Sequence, residues 1–332
     1  MLTTMNQIDS GSEDAHFSPA TALSLEIDPE SAMERIQPWV RRTPVIESGT
    51  NTFGLTESIA MKLECLQHAG SFKTRGGFNS ALASEIPAAG LIAASGGNHG
   101  LAVAFVARAL QVPAEIFVPE ASSAVKVRGI RDLGATVHVV GALYDDARLA
   151  CTERASVSGA LDIHPYDAPL TISGQATVGL EMVEQVPDLD TVIVAVGGGG
   201  LIAGIVAAVP DSVNVVGVEP EGSSCLRAAV DARMPVDVAI RSVAADSLGA
   251  KRLGAIPWGI VDGRVEAITV SDEAILTARR VLWDEGRVAA EHGGATALAA
   301  LTSGAYVPVI GERVVVVVCG SNTDPGDLIP RN

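Results

Sequence analysis

The sequence predicts an α/β fold of two closely packed domains with parallel-rich open sheets flanked by helices, and three observations carry that expectation. The chain has 332 residues, more than one hydrophobic core usually serves. Apolar residues make up 48% and aromatic ones only 4%, so the interior has to be built from Val, Ile and Ala in buried strands and small-residue helices. From residue 91 onward, short apolar runs alternate with longer Ala-rich stretches, the pattern of βαβ units.

Taken in order, the polar and acidic residues 1–20 read as a disordered arm and lack the basic start and apolar centre of a secretory signal. Residues 91–94 predict a buried strand, 98–110 a helix and 114–118 the next strand. A helix over 123–133, a strand over 136–140 and a helix over 144–156 follow, the last started by Asp145 and Asp146. Beyond Gly174 we expect a helix to about residue 186, a strand over 191–196, a helix over 201–209 and a strand over 213–218. The end of the chain reads as helices over 273–285 and 295–301 and a buried strand over 313–318.

The formal charge of −16, with no basic cluster to interrupt it, argues against nucleic acid and anionic membrane surfaces as partners and favours a small substrate. The apolar runs are far shorter than the ~20 residues of a membrane helix. Four cysteines without a CxxC pair give neither a zinc site nor a disulfide framework, which points to a reducing, cytoplasmic setting.

Four segments carry chemistry. Ser71-Phe72-Lys73-Thr74-Arg75-Gly76-Gly77 sets a lysine beside a phenylalanine, where the plain alternative is a solvated helix start. Ser95-Gly96-Gly97-Asn98-His99-Gly100 lies between a strand and a helix, where successive backbone amides can cradle an anion such as a carboxylate. Gly197-Gly198-Gly199-Gly200 opens the helix that follows and suits a phosphate, whereas Leu201 and Ile202 break the GxGxxG spacing of dinucleotide folds. Cys319-Gly320-Ser321-Asn322 ends the last strand, where open α/β sheets place ligand-contacting groups.

In this order the segments resemble the fold-type II pyridoxal-phosphate (PLP) enzymes of the serine/threonine dehydratase and serine racemase group, whose fold is tryptophan synthase β-like. Also matching are Arg42-Thr43-Pro44, Leu63-Glu64-Cys65-Leu66-Gln67, Gly217-Val218-Glu219-Pro220 and Glu291-His292-Gly293-Gly294. The resemblance implies Lys73 as Schiff-base lysine and Cα base, Phe72 against the cofactor ring and Asn98 on the ring hydroxyl. It implies Gly197, Gly198, Gly199 and Gly200 around the phosphate, and Cys319 facing the pyridine nitrogen. Ser95, Asn98 and His99 would grip the substrate carboxylate, and Glu219 with Ser223 could hold a monovalent cation, K+. The domains implied are a large PLP-binding one over residues 21–89 and 168–332 and a small mobile one over 90–167, assembled as a homodimer.

The reaction so implied is β-elimination of water, then ammonia, from L-threonine or L-serine, giving 2-oxobutanoate or pyruvate. Family racemases carry a proton-moving serine where this chain has Gly96, so little racemisation is expected. The alternatives are 3-hydroxyaspartate dehydration or β-replacement with the same cofactor, and a non-catalytic PLP-binding sensor. Arg75, Lys126 and Arg128 could in principle reach a second substrate carboxylate, but all three are expected as surface charges. Serine and threonine are not separated by sequence, since one methyl group in an apolar pocket discriminates by only ~1–3 kcal/mol.

Overall fold

The computed structural model describes residues 27–328, so the arm expected over residues 1–20 lies outside the described residues. Helix α1 (Pro29–Ile36) is started by Asp28, whose Oδ1 accepts from Ser31 N at 2.9 Å, with proline in the first turn. The short strands β1 (Val45–Glu47) and β2 (Ala60–Lys62) follow, then α2 (Lys73–Leu82).

A four-stranded, all-parallel sheet comes next: β3 (Leu91–Ala94), α3 (Asn98–Leu110), β4 (Ala114–Val118), α4 (Ala124–Asp132), β5 (Thr136–Val139), α5 (Tyr144–Ser158) and β6 (Leu161–Asp162), in the spatial order β5-β4-β3-β6. Successive side chains of a strand point to opposite faces, which explains the unbroken apolar run of β3. Leu91 and Ala93 enter a core with Val103 of α3 and Ile130 of α4, while Ile92 and Ala94 enter the opposite one with Ala147 and Cys151 of α5. Asp146 helps start α5 as expected, accepting from Leu143 N at 2.9 Å.

The chain then returns through α6 (Pro169–Gln185), β7 (Thr191–Ala195), α7 (Gly200–Ala208), β8 (Asn214–Pro220), α8 (Cys225–Ala232), α9 (Ala245–Leu248), α10 (Ala255–Val261), β9 (Glu266–Val270), α11 (Asp272–Asp284), α12 (His292–Thr302) and β10 (Val314–Val317). These strands join β1 and β2 in a six-stranded sheet of order β1-β2-β10-β7-β8-β9, parallel except for the β1–β2 pair.

Two expectations are corrected. Gly174 does not precede a helix but sits inside α6, where the missing side chain lets α2 come close: a Cβ there would stand 2.6 Å from Arg75 O and Gly76 Cα. Arg75 and Lys126 are not surface charges, although Arg128 is exposed. Arg75 is fully buried, its Nε and Nη1 donating at 2.8 Å to Glu64 and Glu181, and Glu181 also accepts from buried Lys62 at 2.5 Å. Two cations thus face two carboxylates, the balance that makes buried charge tolerable, and the cluster locks α2 onto α6.

Candidate active site

The start of α2 is fixed by the end of β10, which sets where Lys73 lies. Ser71 bridges to Gly320, and Phe72 N donates to Cys319 O at 3.3 Å. The Lys73 ammonium lies 5.1 Å from the Phe72 ring centroid and donates to Pro165 O at 2.7 Å. Burial lowers its pKa from the ordinary lysine range to about 8. The helix start is therefore not a solvated one.

Lys73 opens into a cavity shared with Phe72, Asn98, the four glycines Gly197 to Gly200, and Cys319, so the cofactor residues named from sequence converge on one place. The glycines are needed there. A Cβ on Gly198 would stand 2.3 Å from the Tyr166 ring, and Gly199, with φ +93°, would press one to within 2.7 Å of Leu253. The first turn of α7 leaves its N–H groups without intrahelical acceptors, so the cup presents donors to an anion. Cys319 is buried with its thiol 3.5 Å from Gly293 O, and burial raises its pKa, so it stays neutral. A phosphate-bearing aldehyde cofactor fits this donor set, with amides for its phosphate and a depressed amine for its carbonyl carbon.

The second glycine-bearing turn supplies Asn98, which lines the cavity, whereas Ser95 and His99 are not part of its lining. Ser95 Oγ accepts from Gly97 N at 3.2 Å. His99 is buried with Nε2 2.7 Å from Ile163 O, which makes Nε2 the protonated nitrogen, and Nδ1 has no partner among the described residues. Burial, with Lys73 nearby, lowers its pKa to about 3 and keeps the ring neutral.

Three polar cavity residues have no role from sequence: Glu291, Tyr166 and Ser247. Glu291 accepts from Asn98 Nδ2 and, at 2.9 Å, from Lys126 Nζ, and Lys126 also donates to Asp246 at 2.7 Å. Burial raises the Glu291 pKa against the pull of Lys126. Asn98 Oδ1 in turn accepts from Asn322 Nδ2 at 2.9 Å. The Glu-His-Gly-Gly run drew notice to Glu291 without its partners, which lie far off in the chain. Tyr166 follows His164, whose Nδ1 accepts from Asp167 N at 2.8 Å, and the Asp167 carboxylate binds the start of α10 through Ile256 N at 2.9 Å.

Glu219 and Ser223 lie outside the cavity. Glu219 accepts from Leu226 N at 2.7 Å and Arg227 N at 2.8 Å at the start of α8, and burial raises its pKa to about 7. Ser223 Oγ donates to Leu248 O at 2.8 Å. Among the described residues no group of three or more His, Cys, Asp or Glu side chains could hold a metal ion, and no helix is long and apolar enough to cross a membrane.

Residues 36–320 match the model of the family described as pyridoxal-phosphate dependent enzyme. The chain is 36% identical over 301 residues to an L-threonine ammonia-lyase of Geobacter sulfurreducens, covering 89% of this chain and 75% of that one. Among solved structures, maize serine racemase superposes with a TM-score of 0.85 at 33% identity, covering 91% of this chain and 95% of that one. A threonine deaminase from T.th. gives 0.82 at 36% identity, covering 89% and 97%.

Proposed function

Because the chain belongs to the family of pyridoxal-phosphate dependent enzymes, we propose that it is an ammonia-lyase that dehydrates and deaminates L-threonine, L-serine or both, yielding 2-oxobutanoate or pyruvate and ammonia. The observation that carries the reading is Lys73: a lysine with its pKa lowered to about 8, opening on a cup of four glycines. Relatives named for threonine and serine chemistry support the choice of reaction.

When bound, pyridoxal phosphate supplies the electron sink for the negative charge that develops at Cα. Lys73 would hold the cofactor through its amine, and that same amine would take the Cα proton, a task its depressed pKa suits. The amides of Gly197 to Gly200 would hold the phosphate, Phe72 would pack on the ring, and Asn98 would hold the ring hydroxyl. The neutral Cys319 thiol would be the partner of the pyridine nitrogen. The turn of Ser95, Asn98 and His99 grips the substrate carboxylate, and the small domain, residues 90–167, closes on the large one, residues 21–89 and 168–332, to exclude water.

The same reading includes K+ near Glu219 and Ser223, a homodimer and a cytoplasmic setting; equal activity in potassium and in a potassium-free buffer would remove the ion. A second substrate carboxylate is less well served, since Lys126 is already engaged by Glu291 and Asp246. To test the proposal, the yellow holoenzyme is incubated separately with L-serine, L-threonine and 3-hydroxyaspartate, and 2-oxo acid and ammonia are assayed. We expect both products from serine or threonine, and neither from Lys73→Ala, which also loses the visible absorbance. Absence of product from the wild type would sink the dehydratase reading.

A further inference from the structure

Asn98 is buried, lines the cavity, and has its carboxamide held at both ends. Its Nδ2 donates to Glu291 Oε1, and its Oδ1 accepts from Asn322 Nδ2 at 2.9 Å. Each partner has a fixed polarity. Asn322 Nδ2 also donates at 2.8 Å to Ala69 O, a backbone carbonyl that can only accept. The second carboxylate oxygen of Glu291, Oε2, accepts at 2.9 Å from Lys126 Nζ, an ammonium that can only donate. A carboxamide takes its orientation from such partners, so Asn98 has one: turned over, it would set N–H against N–H at Asn322 and oxygen against carboxylate at Glu291.

The backbone makes room for this clamp. A Cβ on Gly70 would stand 2.4 Å from Asn322 Oδ1, and one on Gly320 would stand 2.1 Å from Glu291 Oε1. Ala69, whose carbonyl anchors the far end, has φ 54°, a left-handed backbone uncommon outside glycine. Glu291 shares the cavity lining with Asn98 and Asn322 does not, so the Nδ2 end of the carboxamide is the one turned to the cavity. An amide nitrogen carries two hydrogens, and Glu291 takes one. We propose that Glu291 and Asn322 are positioning residues that fix the Asn98 carboxamide so that its remaining N–H donates to the cofactor's ring oxygen and holds that oxygen as an anion. The inference rests on the reading that Asn98 meets the ring hydroxyl. An acceptor presented at the same place would favour the protonated hydroxyl instead.

The test compares the absorbance of holoenzymes with matched cofactor content, because the bound cofactor is yellow when its ring oxygen is ionised and absorbs only in the ultraviolet when that oxygen is protonated. Asn322→Asp keeps the shape and replaces a donor with an acceptor, whereas Asn322→Leu removes the donor and changes the shape. Glu291→Gln leaves one oxygen to serve two donors, Lys126 and Asn98. We expect the ratio of visible to ultraviolet absorbance to fall about tenfold in N322D and in E291Q, the worth of one charge-assisted hydrogen bond, and to fall less in N322L. Either of the first two decides should the other fail to fold. A packing role predicts the opposite order at Asn322, and that order overturns the proposal, as do unchanged ratios in N322D and E291Q. Asn98→Ala separates the two readings: if it alone shifts the ratio, the clamp fails and the contact with the ring oxygen stands, and if it shifts nothing, the contact fails as well. The spectra are taken without substrate, so a holoenzyme that forms no 2-oxo acid defeats the dehydratase reading and not the clamp.

Discussion

Lys73 and His99 are both moved by burial, in the same direction and with different consequences. A base must be deprotonated to act, and Lys73 reaches half-deprotonation at about 8. We therefore expect kcat to rise with pH up to about 8 and level off above it, as measured with saturating threonine; a flat profile from pH 6 to 9 would remove Lys73 as the base. His99 titrates near 6.5 when unfolded and near 3 when folded, so between those values the unfolded chain binds more protons and stability falls as pH falls. His99→Gln cannot take that proton, and its stability relative to wild type should improve between pH 6.5 and pH 4 in urea titrations. Lys73, Cys319 and the four glycines, named through the resemblance because each sits in a short contiguous motif, share one cavity. Glu291 had no role from its motif: its partner Asn98 is 193 residues away in the chain, and only the fold brings them together.

At the scale of elements, β3 and β7 are legible in the sequence because their apolar runs are unbroken, whereas β2, equally buried, is not, because it is short and ends on the buried Lys62. Helix α6 begins earlier than the sequence suggests because Thr171, Ser173 and Gly174 look like loop residues. They lie inside a buried helix, with Thr171 and Ser173 bonded to the carbonyls of His164 and Pro169. Strand β9 leaves little signal in the sequence because only Val270 of its five residues is fully buried. The α2–α6 contact gives a direct prediction. Gly174→Ala would force a Cβ against the backbone of α2, which cannot yield as a side chain would, and should cost about 1–3 kcal/mol. Arg75→Met leaves Glu64 buried and unpaired, a loss of about 3–5 kcal/mol. Denaturant titrations of each variant measure both, and a Gly174→Ala protein as stable as wild type would mean that the helices can part without penalty.

At the scale of the whole molecule, Lys126 joins the two sheets. It belongs to α4 beside the four-stranded sheet, whereas Glu291 and Asp246 come from the segments around the six-stranded one. Its two acceptors differ: Glu291 is almost wholly buried, while the Asp246 side chain is 44% exposed and can turn to water. Replacing Lys126 with methionine thus leaves one uncompensated charge, on Glu291, with only Asn98 to solvate it. The expected loss is about 3–5 kcal/mol, and Glu291 should respond by taking up a proton. Lys126→Met combined with Glu291→Gln removes the stranded charge and keeps a group that can accept from Asn98, so the double variant should be more stable than Lys126→Met alone. Urea titrations of the four proteins of this cycle measure the coupling directly. If the two single losses simply add, the ion pair does not couple the halves, and their association would rest on the apolar contacts and on the bound cofactor.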